Sequence, residues 1–203
     1  MIELNLLINM NQTEEKILEA AEQVFMKQGY DGSRMQAIAD LAGINKAMLH
    51  YYFRSKDLLF ERIFKEKFNK FFPEIEETFQ LEMSFVEKLC IFAEKYIDFL
   101  IQNPYLPLFV LNSINKNPEF SKNLPLKMPE LLLKAYLEDV DKGLCRMHNP
   151  AQILITVLGI CVFPFLAKPM MVLLLGASDD DFFELMQQRK EEAKNQIRIL
   201  FKT

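Results

Sequence analysis

Residues 13–60 read TEEKILEAAEQVFMKQGYDGSRMQAIADLAGINKAMLHYYFRSKDLLF, and this stretch decides the fold. Ile17, Ala20, Ala21, Val24 and Phe25 recur at helical spacing, so a first helix with one apolar face is expected over about Thr13 to Gln28. Gly29 stands where a helix stops. Ser33-Arg34-Met35-Gln36 has the form of a capping box, which predicts a second helix from Ser33 that turns Met35, Ile38 and Ala39 inward. Gly43 ends it. Asn45 can cap a short third helix whose inward residues are Ile44, Leu49, Tyr52 and Phe53. Ser55 then caps a fourth helix, which runs through Phe64 and Phe68 until Pro73 ends or kinks it.

Two short helices joined at a glycine turn form the helix-turn-helix layout, in which the second helix lies in a DNA groove. That helix must be anchored from one side and must show contact-making groups on the other. Leu49 and Phe53, four apart, supply the anchor. Asn45, Lys46, Ala47, Met48, His50 and Tyr51 are left to face outward. Lys46 can reach guanine acceptors or a phosphate, Ala47 and Met48 can touch thymine methyls, and His50 and Tyr51 can donate to phosphates. Lys56, beside the free amides of its own helix N-terminus, is a further phosphate candidate, and Ser33 and Gln36 would face the opposite backbone. Taken singly, each of these side chains has an ordinary structural reading. Their joint order makes the case.

The same stretch resembles the DNA-binding domain of the tetracycline-repressor (TetR) family of bacterial regulators. The resemblance rests on Ile17, Ala20-Ala21, Phe25, Gly29-Tyr30, Ile38-Ala39, Ala42-Gly43-Ile44, Leu49, Tyr52-Phe53, Lys56 and Leu58-Leu59, over about Thr13 to Arg62. It implies an all-α protein: an N-terminal three-helix helix-turn-helix domain (residues 11–56) and a C-terminal helical effector-binding and dimerisation domain (residues 57–203). It further implies a cytoplasmic homodimer that represses transcription from a pseudo-palindromic operator and is released by a small molecule. The family's DNA-contacting positions fall on Ser33, Gln36, Asn45, Lys46, Ala47, Met48, His50, Tyr51, Tyr52 and Lys56. The family often has Gly or Pro at Ala47, Thr at Met48 and Tyr at His50. A methionine cannot donate to phosphate as threonine does, so the operator sequence does not carry over.

The rest of the chain reads as an apolar helical body. Ser84 opens a long helix ending before Pro104, and a proline-broken stretch follows. Glu130 to Met147 reads as another amphipathic helix. Ala151–Leu175 has the length of a membrane span, but Pro164, Lys168 and Pro169 interrupt it, so a buried helix with a bend or a second helix is expected instead. In the last helix, from Asp179 to Lys202, Phe182, Met186, Ala193, Ile197 and Leu200 form a stripe, and three aspartates sit at the end where negative charge is favoured. These last two stretches suit a dimer interface. A helical protein-interaction module that uses the same apolar helices is the competing reading.

The 203 residues are half apolar, which suffices for a large core. Eighteen Phe and eleven Met with no Trp is an adaptable mixture that packs cores and can line pockets. Phe92, Tyr96, Phe99, Phe109, Met128, Leu132, Tyr136 and Phe163 are the candidate effector-binding residues, with core packing as the plainer role for each. Few charges converge on them, so an apolar or aromatic effector is expected. The net charge of −4 hides an asymmetry: Ser33 to Lys56 carries four basic residues against Asp40 alone, +3, which leaves −7 elsewhere. Cys90, Cys145 and Cys161 form no framework, which fits free thiols in a reducing cytosol. The acidic, lysine-free start MIELNLLINMNQ does not read as a signal peptide. With His50 and His148 as the only histidines and no nucleophile or metal-ligand spacing, no catalytic residue, metal or cofactor is implied, and the chain does not read as an enzyme.

Overall fold

The computed structural model describes residues 2–116 and 128–201, with side chains described for 10–116 and 130–201. Every regular element among them is a helix: α1 (Ile2–Gly32), α2 (Met35–Leu41), α3 (Lys46–Tyr52), α4 (Lys56–Gln80), α5 (Phe85–Gln102), α6 (Leu106–Lys116), α7 (Met128–Asp141), α8 (Pro150–Leu166), α9 (Lys168–Leu175) and α10 (Asp179–Phe201). They divide into two compact units, with the boundary between Asn69 and Lys70 inside α4.

In the first unit the apolar side of α1 is buried through Ile17, Ala20, Ala21, Val24 and Phe25. Ile38 and Ala39 of α2, Leu49 of α3, and Leu59, Phe60, Ile63 and Phe64 of α4 are buried as well. Gly29 interrupts α1 with φ 67° and ψ 176°, a backbone that a side chain resists. The helix resumes to Gly32 and starts at Ile2, so it is longer at both ends than the apolar spacing indicates.

Ser33 does not cap α2. Arg34 occupies the N-cap position and makes no side-chain cap bond. Ser33 is instead buried, and its hydroxyl donates back to the carbonyls of Gly29 and, at 3.4 Å, of Val24. The tertiary partner outcompetes the local one. Pro73 does not end α4 either. It stands on an exposed side, as does Asn69 four residues earlier, whose carbonyl loses its helical donor to the proline and can turn to water.

The second unit has one core. α5 and α10 form its centre, and α8 and α7 also pack on α5. Ser84 caps α5 by accepting the Glu87 amide at 3.3 Å. The buried residues of α10 are Phe182, Met186, Ala193, Ile197 and Phe201; Leu200 lies outside the stripe, exposed. Along the edge of the contact three ion pairs join α5 to α10 in antiparallel order: Glu87–Arg198 at 3.0 Å, Glu94–Lys194 at 3.1 Å and Asp98–Lys190 at 2.8 Å. Half-exposed pairs of this kind add little stability individually.

The proline-broken stretch contains a helix after all. Pro107 is the second residue of α6, where no amide hydrogen is required. α7 ends at Asp141 rather than near Met147, and Tyr136 ties the connection that follows: its hydroxyl donates to the His148 carbonyl at 2.8 Å and accepts from the His148 amide at 2.6 Å. Asn149 caps α8. α8 and α9 meet at a bend of 68°, and no single helix among the described residues is long and apolar enough to cross a membrane.

Candidate nucleic-acid interface

The turn between α2 and α3 is closed by backbone bonds from Gly43 to Asp40 and from Ile44 to Ala39, at 3.2 and 3.0 Å. Gly43 has φ 69°, which suits a residue without a side chain. Asn45 caps α3, its side-chain oxygen accepting the Met48 amide at 2.8 Å. Two turns of helix are marginal alone, so α3 depends on this cap and on the burial of Leu49 and Phe53.

One face of α3 is therefore fixed and the other is open. Asn45, Lys46, Ala47, Met48, His50 and Tyr51 are all exposed, Tyr51 to 75%. A tyrosine that open gains nothing from the core, and its only described ring neighbour is Tyr52, edge-on at 5.6 Å. Tyr52 is half-buried. Gln36, on α2, is exposed and donates to Asp40 at 2.7 Å. Arg34 and Arg54 are exposed near the two ends of the motif.

Ser33 and Lys56 sit apart from this surface in character. Ser33 is buried, as described. Lys56 is half-buried, and its ammonium donates to the carbonyls of Tyr30 at 2.6 Å and Ser33 at 3.1 Å while lying 4.2 Å from the centre of the Tyr30 ring. The Tyr30 hydroxyl donates to the Asp57 carboxylate. Tyr30 and Asp57 are therefore part of the site's framework; sequence reading catches Tyr30 only through the Gly29-Tyr30 pair, and nothing in the local pattern marks Asp57. The Ser55 hydroxyl accepts the Leu58 amide at 3.2 Å, so the cap expected for α4 is present.

In the second unit Phe92, Leu132 and Tyr136 share one buried core, and Tyr96 and Phe99 pack against it. Phe71 stacks on Phe99 at 4.6 Å and lies tilted 5.6 Å from Tyr96, on which Phe92 stacks in turn. Burial raises the Tyr96 hydroxyl well above the ordinary phenol range. Leu132 and Tyr136 are buried on α7, Phe109 is buried on α6, and Phe163 is 52% exposed on α8. Met128 begins α7, and its side chain lies outside the described residues. A cleft of about 660 Å³ opens between the end of α4, the turn into α5, and α7, lined by Phe79, Met83, Lys88, Lys134, Asp139 and Leu144 among others. Among the described residues no three His, Cys, Asp or Glu converge as a metal site requires.

A rigid two-turn helix, capped, anchored by two apolar residues and open on its far side, defines an all-α protein with an N-terminal helix-turn-helix unit. Residues 17–63 match the family described as bacterial regulatory proteins, tetR family. The chain is 28% identical over 127 residues to the fatty acid metabolism regulator protein of Bacillus subtilis, covering 62% of this chain and 63% of that protein. It is 32% identical over 95 residues to the HTH-type transcriptional repressor NicS of Pseudomonas putida, covering 46% of this chain and 44% of that one. The match thus spans less than two thirds of the length of either relative. The fold is shared more widely: the Bacillus subtilis regulator FadR, solved in complex with stearoyl-CoA, aligns with a TM-score of 0.62 at 21% identity, over 88% of this chain and 96% of FadR.

Proposed function

We propose that the protein is a DNA-binding transcriptional regulator of the repressor type, acting from the cytoplasm as a homodimer on a pseudo-palindromic operator. The observation that carries the reading is the open face of α3, where Lys46, His50 and Tyr51 are exposed on a helix held from behind by Leu49 and Phe53. Lys46 and Tyr51 are the contacts expected to matter most, with Gln36, Asn45, Ala47, Met48 and His50 completing the reading surface. Ser33 and Tyr52, buried and half-buried, support it from within.

Two copies are required because one two-turn helix reads too few bases, and paired readers engage half-sites about 34 Å apart. Large apolar side chains stand exposed on α8, α9 and α10, among them Ile155, Leu173, Leu174 and Ile199. A second copy of the chain is the partner we assign to them. Scattering that gives a stable monomer at micromolar concentration would instead favour a heterologous partner for these helices.

The effector is proposed to be apolar, and the stearoyl-CoA bound by FadR makes a long acyl chain the first class to try. Its action is a population shift: it binds one arrangement of the dimer better, and that arrangement binds DNA worse. The test is selection of duplexes from a random library by the pure protein, then titration of the winner with and without stearoyl-CoA. Lys46→Ala and Tyr51→Ala are expected to weaken binding of the selected duplex while leaving thermal unfolding unchanged. Absence of any sequence preference would overturn the regulator reading. Unchanged binding in the presence of the acyl-CoA would overturn the effector class alone.

A further inference from the structure

The helix-turn-helix, residues 34–55, lies between two points that touch. Ser33 precedes α2, and Lys56 follows α3. The Lys56 ammonium donates to the Ser33 carbonyl at 3.1 Å and to the Tyr30 carbonyl at 2.6 Å. Both carbonyls belong to the end of α1 and the turn beyond it, where a helix runs out of amide partners and where its dipole favours a cation. The ammonium also lies 4.2 Å from the Tyr30 ring centre. That ring is placed in turn by Phe25 and Phe60, at 6.0 and 5.2 Å, and its hydroxyl donates to Asp57. Ser33 closes the corner from the other side by donating to the Gly29 and Val24 carbonyls.

We propose that Lys56 is a positioning residue: its ammonium clasps the start of α4 to the end of α1, fixing both ends of the reading motif, and it does not serve as a contact to DNA phosphate. The inference rests on the DNA-binding reading above and assigns a mechanical role within it. Two of the ammonium's three N–H groups are engaged by carbonyls and its charge lies against an aromatic ring, so it is committed to this corner of the fold before any DNA arrives. Losing the clasp therefore loosens the placement of α3, which degrades base recognition more than general attraction to DNA.

Phosphate contact and clasp predict different behaviour for Lys56→Met, which keeps the apolar stem and removes the charge. A lost phosphate contact weakens binding to every duplex alike and reduces the salt slope by about one. A lost clasp lowers affinity for the selected duplex by roughly tenfold, the scale of a charged hydrogen bond. It leaves affinity for an unrelated duplex, and its salt slope, within about twofold and a few tenths of the parent. A uniform loss with the reduced slope overturns the proposal. Hydrogen exchange of the free protein gives a readout that needs no DNA: the α3 amides exchange faster in Lys56→Met under the clasp, and unchanged exchange overturns it even should the protein show no sequence preference. If Lys56→Met does not fold, Lys56→Arg carries the comparison. A guanidinium serves a phosphate at least as well as an ammonium but does not fit the same carbonyl pair. Lys56→Arg then loses selectivity under the clasp and keeps or gains affinity as a phosphate contact.

Discussion

Replacing Tyr136 by phenylalanine separates structure from ligand chemistry in the second unit. Tyr136 is 2% exposed, and its ring packs on Phe85 with centroids 5.3 Å apart, a contact that phenylalanine retains. Only the hydroxyl is lost, and with it the bonds to the amide and carbonyl of His148. Each such bond contributes about 1 kcal/mol net, and both backbone groups lose their partner, so the variant is expected to be about 2 kcal/mol less stable. With a urea dependence of about 2 kcal/mol per molar, the unfolding midpoint falls by about 1 M at unchanged slope. Equilibrium urea unfolding followed by far-UV circular dichroism measures this. A midpoint within about 0.2 M of the parent would refute the reasoning, because the two bonds would then carry no weight. Tyr136 is also an effector candidate. If its hydroxyl meets the effector, the response of DNA binding to that molecule changes; if its work is to hold His148, stability falls and the response stays.

Gly29→Ala is expected to destabilise the first unit by about 2 kcal/mol, since a Cβ there meets nothing within 4 Å and the penalty comes from a backbone, φ 67° and ψ 176°, that glycine alone adopts readily; thermal unfolding checks it, and a neutral result would mean the helix break is not at Gly29. Burial pushes the thiol of Cys90 up to about 11 and that of Cys161 up to about 12, and raises that of Cys145. The thiolate is the reactive form, so alkylation by iodoacetamide at pH 8 should be slow for all three in the native protein and rapid in denaturant; fast labelling of Cys161 without unfolding would contradict its burial. The Asp181 carboxylate is held below its usual range by hydrogen bonds from Ser178, backbone first. Ser178→Ala should raise its titration midpoint in carbon-detected NMR, and because the folded value is depressed, this cap contributes above the ordinary carboxylate range and is lost as pH falls through the folded value.

What could be read from the amino-acid order was what depends on near neighbours. Asn45 and Ser55 cap their helices as expected, and Ser84, read as opening α5, caps it in the same way, because each partner lies three residues on. Leu49 and Phe53 anchor α3 because four-residue spacing fixes a common side. Ser33 has the same local pattern and behaves otherwise, because a carbonyl at the end of α1 is folded onto it. Lys56 shows the same limit: its partners are 23 and 26 residues away, and no periodicity encodes them. The aromatic residues of the body read equally well as core or pocket until Phe71, Tyr96 and Phe99 are seen packed together.

The antiparallel pairs between α5 and α10 have a mechanical consequence. Their spacing is four residues on α10, from Lys190 to Lys194 to Arg198, and Glu94 and Asp98 repeat it on α5. Slippage of α10 by one coil would still marry Lys194 to Asp98 and Arg198 to Glu94, so attraction between charges is nearly blind to that error. The stop comes from steric size. Ala193 is completely enclosed, and the same slip would drive Ile197 into the notch cut for a single methyl group. Enclosed alanines such as Ala193 leave no room for a larger neighbour, and that lack of room opposes ratcheting.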